Sequence, residues 1–124
     1  MTADKTGAQT AVSDNPAERR YEITVEGTTA PAGFAEYRDR DAGSDAASGV
    51  ARVFFHTEVD PAFGGRGLAT ILVREALDDA RDRGLRIVGV CPLVAAFLEK
   101  NPQYASFAEP VSPAVLTWLR AQKR

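Results

Sequence analysis

The sequence predicts an α/β (α+β) fold of one domain: a three-stranded antiparallel meander that runs into a β-α-β unit and ends in helices. Three observations carry the prediction. Tyr21, Ile23 and Val25 alternate with polar neighbours, the period-two pattern of a half-buried strand. From about Gly67 to Arg83, Leu68, Leu72, Ala76 and Ala80 recur every four residues, with Ile71, Val73 and Leu77 beside them, which is the stripe of a core-facing helix. A mostly apolar run over residues 85–91 follows at once, fit for a strand buried on both faces.

The chain has 124 residues, the length of one domain. Residues 1–18 hold Val12 as their only aliphatic residue besides Met1 and the alanines. Such a segment buries too little surface to offset its ordering entropy, so a disordered tail is expected, with the domain at 19–124. Residues 20–26 form the first strand, 27–33 a turn, 34–40 a weaker second strand, 41–49 a loop of small and polar residues, and 50–59 the third and longest strand. Short connections favour antiparallel pairing, whereas the intervening helix makes the strand at 85–91 parallel to the third. Gly84 is a natural helix stop. Pro92 opens a short helix to about Lys100, with Val94, Phe97 and Leu98 as its apolar side, and Asn101-Pro102 ends it. Ser112-Pro113 opens a last helix to about Lys123. There Val115, Leu116, Trp118 and Leu119 face inward, and Arg120, Lys123 and Arg124 suit the terminal dipole.

Composition removes several function classes. Fifteen basic against seventeen acidic side chains give a net charge of −2, so no basic field awaits nucleic acid. A lone cysteine, Cys91, excludes an internal disulfide, and one Cys with one His makes a structural metal site improbable. No stretch approaches the ~20 apolar residues of a membrane span, and the first residues lack a signal peptide's apolar core. A cytoplasmic protein with a reduced thiol is expected. Oligomeric state is left open.

The chemistry gathers at Val59-Asp60-Pro61-Ala62-Phe63-Gly64-Gly65-Arg66-Gly67-Leu68-Ala69. A strand ends, a glycine-rich loop follows and the long helix begins. A helix start offers unpaired N–H groups and partial positive charge, and glycines let an anion approach the backbone. The loop is either a cradle for a phosphate or pyrophosphate, with Arg66 as an added cation, or only a tight strand-to-helix turn. Dinucleotide binding is disfavoured, because Gly-x-Gly-x-x-Gly is absent.

The order of elements resembles the acyl-CoA-binding core of the GNAT superfamily of N-acetyltransferases. The pieces His56-Thr57-Glu58-Val59, Pro61-x-Phe63-x-Gly65-x-Gly67-Leu68-Ala69, Cys91-Pro92-x-Val94 and Asn101-Pro102-x-Tyr104 resemble its small, stand-alone GNAT-like domains, over roughly Tyr21 to Phe107. The resemblance implies acetyl-CoA as co-substrate, an unidentified amine acceptor and no metal. It places the pyrophosphate at Gly64, Gly65, Arg66, Gly67, Leu68 and Ala69. Gly64 stands where the superfamily usually has Arg or Gln, and Arg66 is the candidate to replace that charge. The resemblance also assigns the pantetheine amides to the backbone of Glu58, Val59 and Asp60.

Acetyl transfer from a thioester needs a base for the amine, a donor for the oxyanion and a proton for the leaving thiolate. Cys91 sits where a strand ends and a helix starts, a position that favours thiolate. It reads as a nucleophile, as a thiol bordering the acetyl group, or as an inert buried cysteine. His56 and Glu58, two apart on one strand face, are candidate bases or simply exposed polar residues. The resemblance makes Tyr104 a proton donor to the thiolate, against a packing role. It makes Asn101 a cofactor contact, against a helix cap. The function expected is an N-acetyltransferase acting on a protein lysine, an N-terminus or a small amine. The alternatives are a non-catalytic acetyl-CoA-binding module and a redox or acyl-carrier role for Cys91.

Overall fold

The computed structural model describes residues 2–41 and 50–122. The loop expected at 41–49 falls almost wholly outside them, as do Lys123 and Arg124. One seven-stranded sheet runs in sequence order: β1 (Thr2–Ala3), β2 (Gln9–Asn15), β3 (Arg20–Val25), β4 (Gly33–Asp41), β5 (Val50–Val59), β6 (Arg86–Gly89) and β7 (Ala108–Glu109). Neighbours up to β5 are antiparallel, and β5–β6 and β6–β7 are parallel. The meander and the parallel crossover are as the sequence predicts. The two-residue β7 has no periodic signal and is an addition.

Three helices complete the fold: α1 (Leu68–Asp82), α2 (Pro92–Lys100) and α3 (Pro113–Gln122). Leu68, Ile71, Leu72, Val73, Ala76, Leu77 and Ala80 of α1 are buried against Tyr21, Ile23, Ala35, Tyr37 and Phe54 on one face of the sheet. Val94 of α2 joins this core. The opposite face packs Ala51, Val53 and Val88 on Val115 and Leu119 of α3, with Trp118 partly buried beside them. None of the described helices is long and apolar enough to cross a membrane.

The expected disordered tail is corrected. β2 pairs with β3 from Thr10↔Val25 to Asn15↔Arg20, and β1 pairs with β2. The segment is poor in apolar side chains, with only Ala8 and Val12 packed against the core, and hydrogen bonds do much of the anchoring. The Tyr37 hydroxyl donates to Asp14 at 2.6 Å, and the Thr2 hydroxyl donates to Glu75 of α1 at 2.8 Å. Asp14 belongs to a polar cluster around the buried Arg52. That guanidinium donates to both oxygens of Asp39, at 2.8 and 2.9 Å, and to the Tyr21 hydroxyl at 2.7 Å, while stacking over Tyr37. Buried polar groups persist when every one is paired, and here the pairing fixes β2 to β5 and α1 as a unit.

Candidate active site

The site begins with a bulge. Glu36 faces His56 and Tyr37 faces Phe54, so Phe55 is an extra residue in β5. A bulge bends its strand and raises the local twist. β6 pairs with β5 only over Ala51–Phe54, then leaves it. The carbonyl of Phe54 accepts the amides of both Val90 and Cys91, at 2.9 and 3.0 Å, which turns the chain out of β6 one residue before α2. β5 continues beside β4 to Val59. Among the described residues no strand pairs with that edge of β5 beyond the bulge, where the chain leaves β6 for α2; this parting of β5 from β6 is the wedge. Gly89 permits this geometry: a Cβ there would lie 3.0 Å from Val94 and 3.2 Å from the Ala95 nitrogen.

Cys91 caps α2 at the mouth of the wedge, buried, with its thiol donating to the Thr57 hydroxyl at 3.4 Å. Thr57 projects to the α1 face of β5, across from Ala35. His56 and Glu58 share the other face, as expected from their spacing, with Nε2 and Oε2 3.4 Å apart and both side chains largely exposed. The wedge therefore has two sides: Cys91 and Thr57 on the helix side, His56 and Glu58 on the open side.

The glycine loop leads from β5 into α1. Asp60 caps a short 3-10 turn over Pro61–Phe63, and Gly65 and Gly67 take φ of +78° and +80°. Gly67 is the N-cap of α1, and no side chain satisfies the first amides of that helix. Leu68 turns its side chain into the core, so only its backbone belongs to the loop surface. Ala69 and Asn101 line a groove of about 420 Å³ between α1 and α2. The Asn101 side-chain amide donates to the Phe97 carbonyl at 2.7 Å, which caps α2.

Two expectations change. Arg66 is not a free cation. Its Nε donates to Asp4 at 2.8 Å and its Nη2 to the Thr6 hydroxyl at 3.2 Å. The Asp4 carboxylate is held at about pKa 2, first by the Thr6 hydroxyl, then by backbone amides and Arg66, against the upward push of burial. Tyr104 is buried and donates its proton to Asp78 of α1. Burial, then that bond, push its hydroxyl up to about 12. Asp78 lies eleven positions past Gly67, roughly 16 Å along the helix, so this hydroxyl ties the 3-10 turn Pro102–Tyr104 to the body of α1. Among the described residues no group of His, Cys, Asp and Glu is placed to hold a metal.

A family model for the GCN5-related N-acetyl-transferases matches residues 20–107. The chain belongs to that family. It is on this ground an N-acetyltransferase. No curated protein matches it. Among solved structures, a GCN5-like protein from Staphylococcus aureus, determined by NMR, is 20% identical with a TM-score of 0.56 over 83% of this chain and 91% of its own. That likeness shows the shared fold. The aminoglycoside N-acetyltransferase AAC(6')-Iy, solved with CoA, is 21% identical with a TM-score of 0.46, over 75% of this chain and 61% of its own.

Within the N-acetyltransferase frame, sequence reasoning missed Thr57, whose side alternates with His56 and Glu58 and could have been read from period two. It also gave no reading to Asp4, the partner of Arg66, which lies outside the matched residues and carries no motif.

Proposed function

We propose that this chain moves an acetyl group from acetyl-CoA to an amine, whether a protein lysine, an N-terminus or a small amine. The observation that carries the reading is the wedge: a bulged β5 parting from β6, with Cys91 and Thr57 at its mouth and the uncapped start of α1 beside it. The residues present fit the ligand. The edge of β5 from His56 to Val59, where no strand pairs with it among the described residues, offers backbone groups to a pantetheine arm, and the amides after Gly65 and Gly67 suit a diphosphate. A Cβ at Gly65 would meet nothing within 4 Å, so that amide is approachable.

Chemically, the amine nitrogen forms a bond to the thioester carbonyl carbon and the carbon–sulfur bond breaks, releasing CoA thiolate. The amine proton leaves through His56 or Glu58, which share the open side of the wedge. Cys91 and Thr57 border the carbonyl from the helix side. Direct transfer is the route we favour, because it requires no second acyl exchange through a buried thiol. Two exposed side chains around the acceptor side suit an open, adaptable amine site.

Incubation with acetyl-CoA and a panel of lysine peptides, N-terminal peptides and small amines tests the reading by thiol release and intact mass. Transfer to at least one amine, reduced by His56→Ala or Glu58→Ala, is expected. Tight acetyl-CoA binding with no transfer to any amine would make the chain a binding module. An acetylated protein lost in Cys91→Ala would replace direct transfer by a cysteine relay.

A further inference from the structure

We infer that the N-terminal arm, residues 2–8, forms part of the CoA site, and that Lys5 supplies the cation for the diphosphate; this rests on the acetyl-CoA reading above. Gly64 has no side chain to offer. Arg66 is neutralised by Asp4. The loop itself therefore brings no free charge to the start of α1. The arm does.

Hydrogen bonds fix its place. The Asp4 carboxylate has no solvent-accessible side-chain surface and accepts from Arg66, from the Thr6 amide and hydroxyl at 2.8 and 2.6 Å, and from the Ala8 amide at 3.1 Å. The Lys5 amide donates to the Arg66 carbonyl at 3.0 Å. Residues 4–8 are thus latched onto the glycine loop, and Arg66 is the latch. A Cβ on Gly67 would stand 3.3 Å from Lys5 Cε, so the lysine stem lies across the N-cap of α1. Its ammonium is one bond further. The arm and α1 border an open groove of about 320 Å³, whose wall includes Lys5, Gly67, Thr70 and Arg74. Gly67, Thr70 and Arg74 stand three and four apart on one helix stripe. Neither Lys5 nor Arg74 makes an ion pair among the described residues. An ammonium held beside unpaired helix amides is the arrangement a diphosphate requires. Arm docking and CoA affinity are then coupled in both directions.

Calorimetry on the full chain tests this with CoA and with dephospho-CoA, which lacks the 3′-phosphate but keeps the diphosphate. Melting curves check that each variant is folded. Lys5→Ala should weaken both ligands by about tenfold, with Lys5→Arg recovering most of the loss. Asp4→Ala should weaken CoA comparably by releasing the arm, and adding Lys5→Ala to it should cost little more. Lys5→Ala binding CoA like the wild type would overturn this inference while the acetyl-CoA reading stands. A loss seen with CoA but not with dephospho-CoA would move Lys5 to the 3′-phosphate and overturn the diphosphate assignment. A wild type that binds neither ligand would overturn both readings.

Discussion

Asp4 decides what Arg66 does. Its folded-state carboxyl value of about 2 lies below the ordinary 3.8. A depressed carboxyl stabilises the fold fully above the unfolded value, and that contribution disappears as pH falls through the folded value. Asp4→Asn should therefore melt below the wild type at neutral pH, and the gap should close between about pH 4 and 2. A gap that is constant over that range would show that the ionised latch contributes nothing. Tyr104 gives a second residue-scale outcome. Tyr104→Phe removes one hydrogen bond to a half-exposed carboxylate and should cost about 1 kcal/mol in denaturant unfolding, with turnover changed less than twofold. A tenfold drop in turnover at unchanged stability would return Tyr104 to the role of proton donor. The residues themselves show why the sequence left this open. Tyr104 and Asn101 sit in a recognisable motif, but only the fold shows that one bonds Asp78 and the other caps α2. Cys91 is legible because proline follows it at a strand end, and the period of two sets Thr57 opposite His56 and Glu58, but only the fold shows that Thr57 meets Cys91.

Among the elements, α1 and β5 set the site. The stripe of α1 is readable because burial imposes a period close to four over the whole helix, and Leu72, which is fully buried, should cost about 3 kcal/mol when cut to alanine. Gly67 holds the start of that helix at a φ of +80°, where a side chain is strained and would press on Lys5. Gly67→Val should lower CoA affinity more than Arg66→Ala does, since the valine disturbs both the helix-start amides and the arm, measured by titration at matched folding. Normal CoA binding by Gly67→Val would count heavily against the loop's assignment. β2 was illegible for a physical reason. Its backbone pairs with β3 and its polar side chains find buried partners, so no hydrophobic period marks it. The β5 bulge is equally silent in the sequence, because His56, Thr57 and Glu58 keep a strand-like alternation on either side of Phe55.

At the scale of the molecule, the sheet carries helices on both faces near β5 and β6 but leaves the face around His56 and Glu58 open. On the function proposed above, CoA and the acceptor approach one wedge from different sides, which aligns the two substrates. The meander, crossover and glycine loop were sufficient to point to this architecture from sequence, because each has a periodic or conformational signature. The arm that latches onto the loop has none, since its stability comes from a carboxylate with four donors rather than from apolar burial. The central claim is that this fold exists to hold a CoA thioester, and calorimetric titration with acetyl-CoA, with NAD as control, tests it most directly. The account predicts saturable binding of acetyl-CoA well below millimolar concentration and none of NAD. Absence of acetyl-CoA binding up to millimolar concentration, with the protein shown to be folded, would contradict it.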